Sequence, residues 1–80
     1  MDNNYNKIKE SVRRELANFL GVDPEDIEDE SSLMEDLHMK STDLADFMEV
    51  LTRMDLDTAN VNLAEIENFL DLVDQLTEHE

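Results

Sequence analysis

The chain has no cysteine and no tryptophan, a single glycine, a single proline, and only six lysines and arginines among 80 residues. Without thiols it can build neither a disulfide framework nor a thiolate metal site. With so few bases it lacks the basic face that holds nucleic acid or an anionic membrane. No apolar run approaches the length of a membrane span. The opening Met1-Asp2-Asn3-Asn4-Tyr5-Asn6-Lys7 has no apolar stretch like that of a secretory signal, so a cytoplasmic location is expected. What is present is acid: 22 aspartates and glutamates give a formal net charge of −16. Yet 40% of the residues are hydrophobic, too many for a disordered acidic tail. With glycine and proline so scarce, an all-helical domain is expected.

The charge is unevenly placed. Residues 1–20 hold three acids and four bases, net +1, whereas residues 21–80 hold nineteen acids and two bases, net −17. The first segment is therefore expected to neutralise part of the remainder. A charge run of this kind is most often a solvated face; the functional alternative is a surface that steers basic partners by long-range attraction.

Periodicity places the helices. At about 100° per residue, Tyr5, Ile8, Val12, Leu16, Phe19 and Leu20 share one arc over residues 4–20, with Lys7, Arg13, Arg14 and Asn18 elsewhere. Gly21 follows as a left-handed stop. A long connection over 21–40 begins with Asp23-Pro24, a cap followed by proline, which predicts a single turn over 24–27. Val22, Ile27, Leu33 and Leu37 are spaced as anchors that pin this connection over a core.

A second helix starts at Ser41 and ends near Met54, burying Leu44, Phe47, Met48, Leu51 and Met54 and exposing Thr42, Asp46, Glu49 and Arg53. The last segment, 60–77, reads two ways. Phe69, Leu72, Val73 and Leu76 form one stripe, while Leu63, Ile66 and Leu70 follow a neighbouring phase. A short helix over 60–66 followed by a longer one from about Asn68 is preferred over one bent helix. The expected architecture is all-α: a small four-helix bundle of three main helices and one short one, with the long loop between helices 1 and 2.

Catalytic and metal chemistry find little purchase. Asp55-x-Asp57 opens like a calcium loop, but Ala59, Asn60 and Ile66 occupy its fifth, sixth and twelfth positions; Asp26-x-Glu28-x-Glu30 fails similarly, with Ser31 sixth and Leu37 twelfth. His38 and His79 do not make a closed zinc set. Ser41, His38 and Asp43 suggest a hydrolytic triad only by proximity in sequence, in a chain too small to offer much of a pocket. A serine at a helix N-terminus, preceded by Lys40, suits an attached phosphate better, although an ordinary N-cap accounts for the same residue.

In its order of features the chain resembles the acyl carrier protein family. The resemblance covers nearly the whole length: Leu20-Gly21-Val22-Asp23-Pro24-Glu25-Asp26-Ile27 closing the first helix, then Glu30-Ser31-Ser32-Leu33-Met34-Glu35-Asp36-Leu37, then Met39-Lys40-Ser41-Thr42-Asp43-Leu44, and a final amphipathic helix. The family's attachment motif is Asp-Ser-Leu, preceded by a Gly-x pair and followed by an acidic helix, and Ser41 falls on the attachment serine. Lys40 stands in place of the motif aspartate, Thr42 in place of its leucine, and His38 in place of the glycine after Leu37. After Leu51 the family's glutamate run and Ile-Pro pair are replaced by Thr52-Arg53-Met54-Asp55-Leu56-Asp57.

The resemblance implies a single carrier domain over 1–80 that carries cargo and is not itself an enzyme. A phosphopantetheinyl transferase would move 4′-phosphopantetheine from coenzyme A onto Ser41, and the arm's thiol would carry an acyl group as a thioester. The acyl chain would tuck between helices, with Met48 and Met54 offering an adaptable inner face. Acyl-loading and acyl-transferring enzymes would dock through basic patches on Asp36, Lys40, Asp43, Asp46, Glu49 and Arg53. Lys40, Glu49 and Arg53 depart from the family's docking surface, which implies a specialised pathway such as cell-surface lipid, polyketide or peptide assembly. A monomer is expected, with no nucleic acid bound and no membrane insertion. The alternative is an unmodified, carrier-like acidic adaptor that binds a basic partner protein.

Overall fold

Three α-helices carry the fold, in a computed structural model that describes residues 3–56, 58–59 and 61–77. The helices are α1 (Asn3–Leu20), α2 (Ser41–Arg53) and α3 (Phe69–Thr77). Single 3-10 turns at Pro24–Asp26 and Leu63–Glu65 punctuate the connections. Among the described residues there is no strand beyond one isolated bridge between Ser32 and Asn68. Asp57, Asn60 and His79, weighed above for calcium, a helix start and zinc, lie outside the described residues.

The all-helical expectation is met, and the long loop falls between the first two helices. The fourth helix expected over 60–66 is not confirmed: described residues 61–66 contain one three-residue 3-10 turn, Leu63–Glu65. Asn62, extended at φ −106° and ψ 103°, is the N-cap of this turn: its side chain accepts the Ala64 N–H at 3.0 Å, so helical backbone begins only after it. Ile66 then turns extended, at φ −93° and ψ 118°, while its side chain stays in the core. Of the first apolar phase, Leu63 and Ile66 belong to this turn and its extended exit, while Leu70 joins the second phase in α3.

The start of α3 is fixed by a reciprocal cap. The Asn68 side-chain oxygen accepts the Asp71 N–H at 2.9 Å, and Asp71 accepts the N–H groups of Asn68 and Glu67 at 3.2 and 3.0 Å. The next orphan donors go to the long connection: Phe69 N–H to the Ser31 carbonyl at 3.0 Å, and Leu70 N–H to that of Asp29 at 3.1 Å.

α1 packs against both α2 and α3. Val12, Leu16 and Ala17 from α1 meet Leu44, Phe47 and Leu51 from α2 and Phe69, Leu72, Val73 and Leu76 from α3 in one buried cluster. Phe19, at the edge, tilts against Phe47 with ring centroids 5.4 Å apart. Of the anchors expected in the connection, Ile27 and Leu33 are each 1% exposed and Leu37 packs against the core. Val22 is not an anchor: it is 40% exposed, because the left-handed Gly21 (φ 76°) turns the chain outward as the Val22 N–H closes on the Ala17 carbonyl. Met39 takes the place of the missing anchor, at 3% exposed.

The basic first segment does meet acid in the remainder. Lys9 Nζ and Arg13 Nη2 both reach the Asp29 carboxylate, at 3.0 and 2.8 Å. Arg13 also donates to the Ile27 carbonyl and lies 4.9 Å from the centroid of the Phe69 ring. One side chain thereby joins α1, the connection and α3.

Candidate functional site

Ser41 is the first residue of α2, and its exposure follows from the way its approach is fixed. Met39 buries its side chain and donates its N–H to the Leu33 carbonyl at 2.9 Å. Lys40 is extended, at φ −105° and ψ 170°, and donates its N–H to Asp43 Oδ2 at 2.9 Å. That is half of a capping box, with aspartate in the acidic position; lysine has no side-chain acceptor with which to return the bond. The helix therefore opens with two exposed polar side chains, Lys40 and Ser41, beside its positive end.

Next to Ser41 lies a cleft of ≈ 390 Å³. Its lining comprises Ser41 itself with Met34, Leu44, Leu63, Ala64 and Ile66, one polar residue among five apolar ones. Three separate parts of the chain build it: the turn after Leu33, the first turn of α2, and the Leu63–Glu65 turn with its exit. Neither Met48 nor Met54 takes part. Both are half-buried against the core, and the methionine at the cleft is Met34. The sequence carried no sign of this, because the lining residues are distant in the chain and meet only on folding.

The acids expected to meet partners are mostly occupied within the chain. Asp36 Oδ2 accepts the Ser32 N–H at 2.8 Å and closes the turn that carries Met34. Asp43 holds the Lys40 N–H. Glu49 faces Arg53 at 3.9 Å, one helical turn on, with both side chains about three-quarters exposed, at 74% and 77%. Such a pair contributes about 0.3–0.5 kcal/mol and lowers the acidity of that face. Asp46, fully on the surface, has no polar partner among the described residues.

No hydrogen bond joins His38 to Ser41 among the described residues; His38 is exposed and its backbone is left-handed, at φ 59°. Among the described residues no group of three or more histidine, aspartate or glutamate side chains is placed to hold a metal ion, and no helix is long and apolar enough to cross a membrane.

The fold and the site thus define a small three-helix domain with a serine at the mouth of an apolar cleft. No known family model matches the chain, and no solved structure matches it significantly.

Proposed function

We propose that the protein is an acyl carrier, with Ser41 as the attachment point of a 4′-phosphopantetheine arm. The observation that carries this reading is the position of Ser41: an exposed serine at the first position of α2 that lines a cleft whose other walls are apolar. An attached phosphodiester there gains from the helix dipole and from the neighbouring Lys40 charge. The cleft suits a hydrocarbon delivered from the same point, because its other walls are Met34, Leu44, Leu63, Ala64 and Ile66.

A second observation supports the reading. The resemblance to acyl carrier proteins puts glycine at the position of His38, and the backbone of His38 has the left-handed φ of 59° that glycine adopts without strain.

When bound, the arm supplies a terminal thiol that carries cargo as a thioester. The chain's own residues hold and present that arm. Ser41 forms the phosphodiester, Lys40 offsets its charge, Asp43 fixes the helix start, and the cleft shields what is carried. The reading makes the protein a carrier and not an enzyme. The docking face on α2 combines Asp46 with a Glu49–Arg53 pair and Lys40, which favours partners with mixed charge over a uniformly basic patch. This supports a specialised pathway.

The test is the intact mass after incubation with coenzyme A and a broad-specificity phosphopantetheinyl transferase, with Ser41→Ala in parallel. One phosphopantetheine increment in the wild type and none in the variant is the expected result. No increment with several transferases would overturn the carrier reading and leave the acidic adaptor.

A further inference from the structure

A second cleft of ≈ 440 Å³ shares Met34 and Ile66 with the lining of the cleft beside Ser41. Their chemistry differs. Beyond Met34 and Ile66 the second cleft is lined by Glu30, Ser32, Glu35, Glu67 and Asn68, all polar.

The two shared residues are not equally free to move. Ile66 is 6% exposed and belongs to the buried cluster. Met34 is 45% exposed, and methionine is unbranched, with three soft torsions. Its backbone is held on both sides: Leu33 N–H bonds the Glu67 carbonyl at 3.0 Å, and Asp36 N–H bonds the Ser32 carbonyl at 2.9 Å. The movable part of the partition is therefore the Met34 side chain.

Resting on the reading of Ser41 as the attachment point, we propose that Met34 sets the longest hydrocarbon that the apolar cleft accepts. A chain entering from Ser41 gains burial with each methylene until it meets Met34. Past that point it would displace water from carboxylates that have no apolar partner to offer, and further length stops being favourable. Shortening residue 34 joins the clefts and raises the limit; enlarging it lowers the limit.

The chain has no cysteine, so Ser41→Cys provides a unique thiol at the cleft mouth. Alkyl methanethiosulfonates of graded length attach there as mixed disulfides without any transferase. The readout is the melting temperature of each adduct relative to the methyl adduct, in the Met34, Met34→Ala and Met34→Phe backgrounds. With Met34, the melting temperature should climb with chain length and then level off. In Met34→Ala the plateau should move to chains longer by about three carbons, the number of side-chain heavy atoms removed. In Met34→Phe it should come earlier. A plateau at one length in all three backgrounds, or no climb with length in any, would overturn the proposal. Because the tether is a disulfide, this outcome is independent of whether Ser41 accepts phosphopantetheine in the mass experiment.

Discussion

Arg13 and Asp29, one on α1 and the other in the long connection, meet at 2.8 Å although nothing in the local sequence pairs them. The contact positions the site indirectly. Asp29 and Ser31 supply the carbonyls that receive the first amides of α3, and the same connection runs on through Met34 to Ser41. The Arg13 side chain is 14% exposed and makes several contacts at once, so its loss is not that of a simple surface pair.

Arg13→Ala should therefore destabilise the domain by about 2 kcal/mol, from lost charge-assisted hydrogen bonds and the contact with the Phe69 ring. Arg13→Lys should recover less than half of this, because an ammonium cannot serve Asp29 and the Ile27 carbonyl with one planar fork. Urea unfolding followed by circular dichroism measures both. Arg13→Ala within a few tenths of a kcal/mol of wild type would refute the role.

Asp29 also gives a pH dependence. The Arg13 hydrogen bond first, and then that of Lys9, hold its carboxyl below the usual aspartate range, against a smaller opposing effect of burial. A depressed folded pKa means that the stabilisation is complete above the ordinary carboxylate range and is lost as pH falls through the lowered value. The difference in melting temperature between wild type and Asp29→Asn should thus be constant near neutrality and shrink below about pH 4. Asp29 is 39% exposed, which keeps the effect under about 1 kcal/mol. A gap that widens on acidification would contradict the assignment.

Among the described residues, two sit in left-handed backbone without being glycine: His38 at φ 59° and Asp55 at φ 65°. Asp55 follows the C-cap of α2 in a Schellman-type ending, with Leu56 N–H on the Leu51 carbonyl at 3.2 Å and Asp55 N–H on that of Thr52 at 3.1 Å. Its negative charge also faces the negative end of the helix. Asp55→Gly should stabilise by about 1 kcal/mol, and His38→Gly by about 0.5 kcal/mol, since histidine tolerates this region better than most residues. Gly21→Ala should cost about 1 kcal/mol from backbone strain alone, because no atom lies within 4 Å of the added carbon. Thermal melts of the three variants decide; 1 kcal/mol corresponds to about 4–8 °C in a domain of this size.

Self-repulsion from a net charge of −16 should make stability depend on salt. Raising sodium chloride from low to physiological strength is expected to increase the melting temperature by several degrees, and divalent cations should act at lower concentration. A melting temperature that stays flat across the titration would show that the acids are too dispersed to strain the folded state.

Much of the fold could be read from residue order. The α1 and α2 stripes place Val12, Leu16, Leu44, Phe47 and Leu51 inside, and all five are buried. Ser41 was expected to begin a helix, and it does. These features are local, set by a 3.6-residue period and by punctuation such as Gly21. The break before α3 was legible in the shift of apolar phase, and the side chains of Asn68 and Asp71 cap one another at that point.

Other features had no local signal. Val22 is as apolar as Ile27, yet only Ile27 is buried, because the left-handed turn at Gly21 decides the direction of the chain. Met48 and Met54 have the right spacing for an inner face, whereas the methionine at the cleft comes from the loop.

The three helices, their apolar faces, the abundance of acid and the serine that opens α2 are local features, because each depends on neighbours within a few residues. Folding alone brings Arg13 from α1 to the connection and α3, and makes Met34 and Ile66 common walls of the cleft at that serine and of a second cleft. Those relationships join residues far apart in the chain, and they exist only once the apolar faces have packed and fixed where each loop can go.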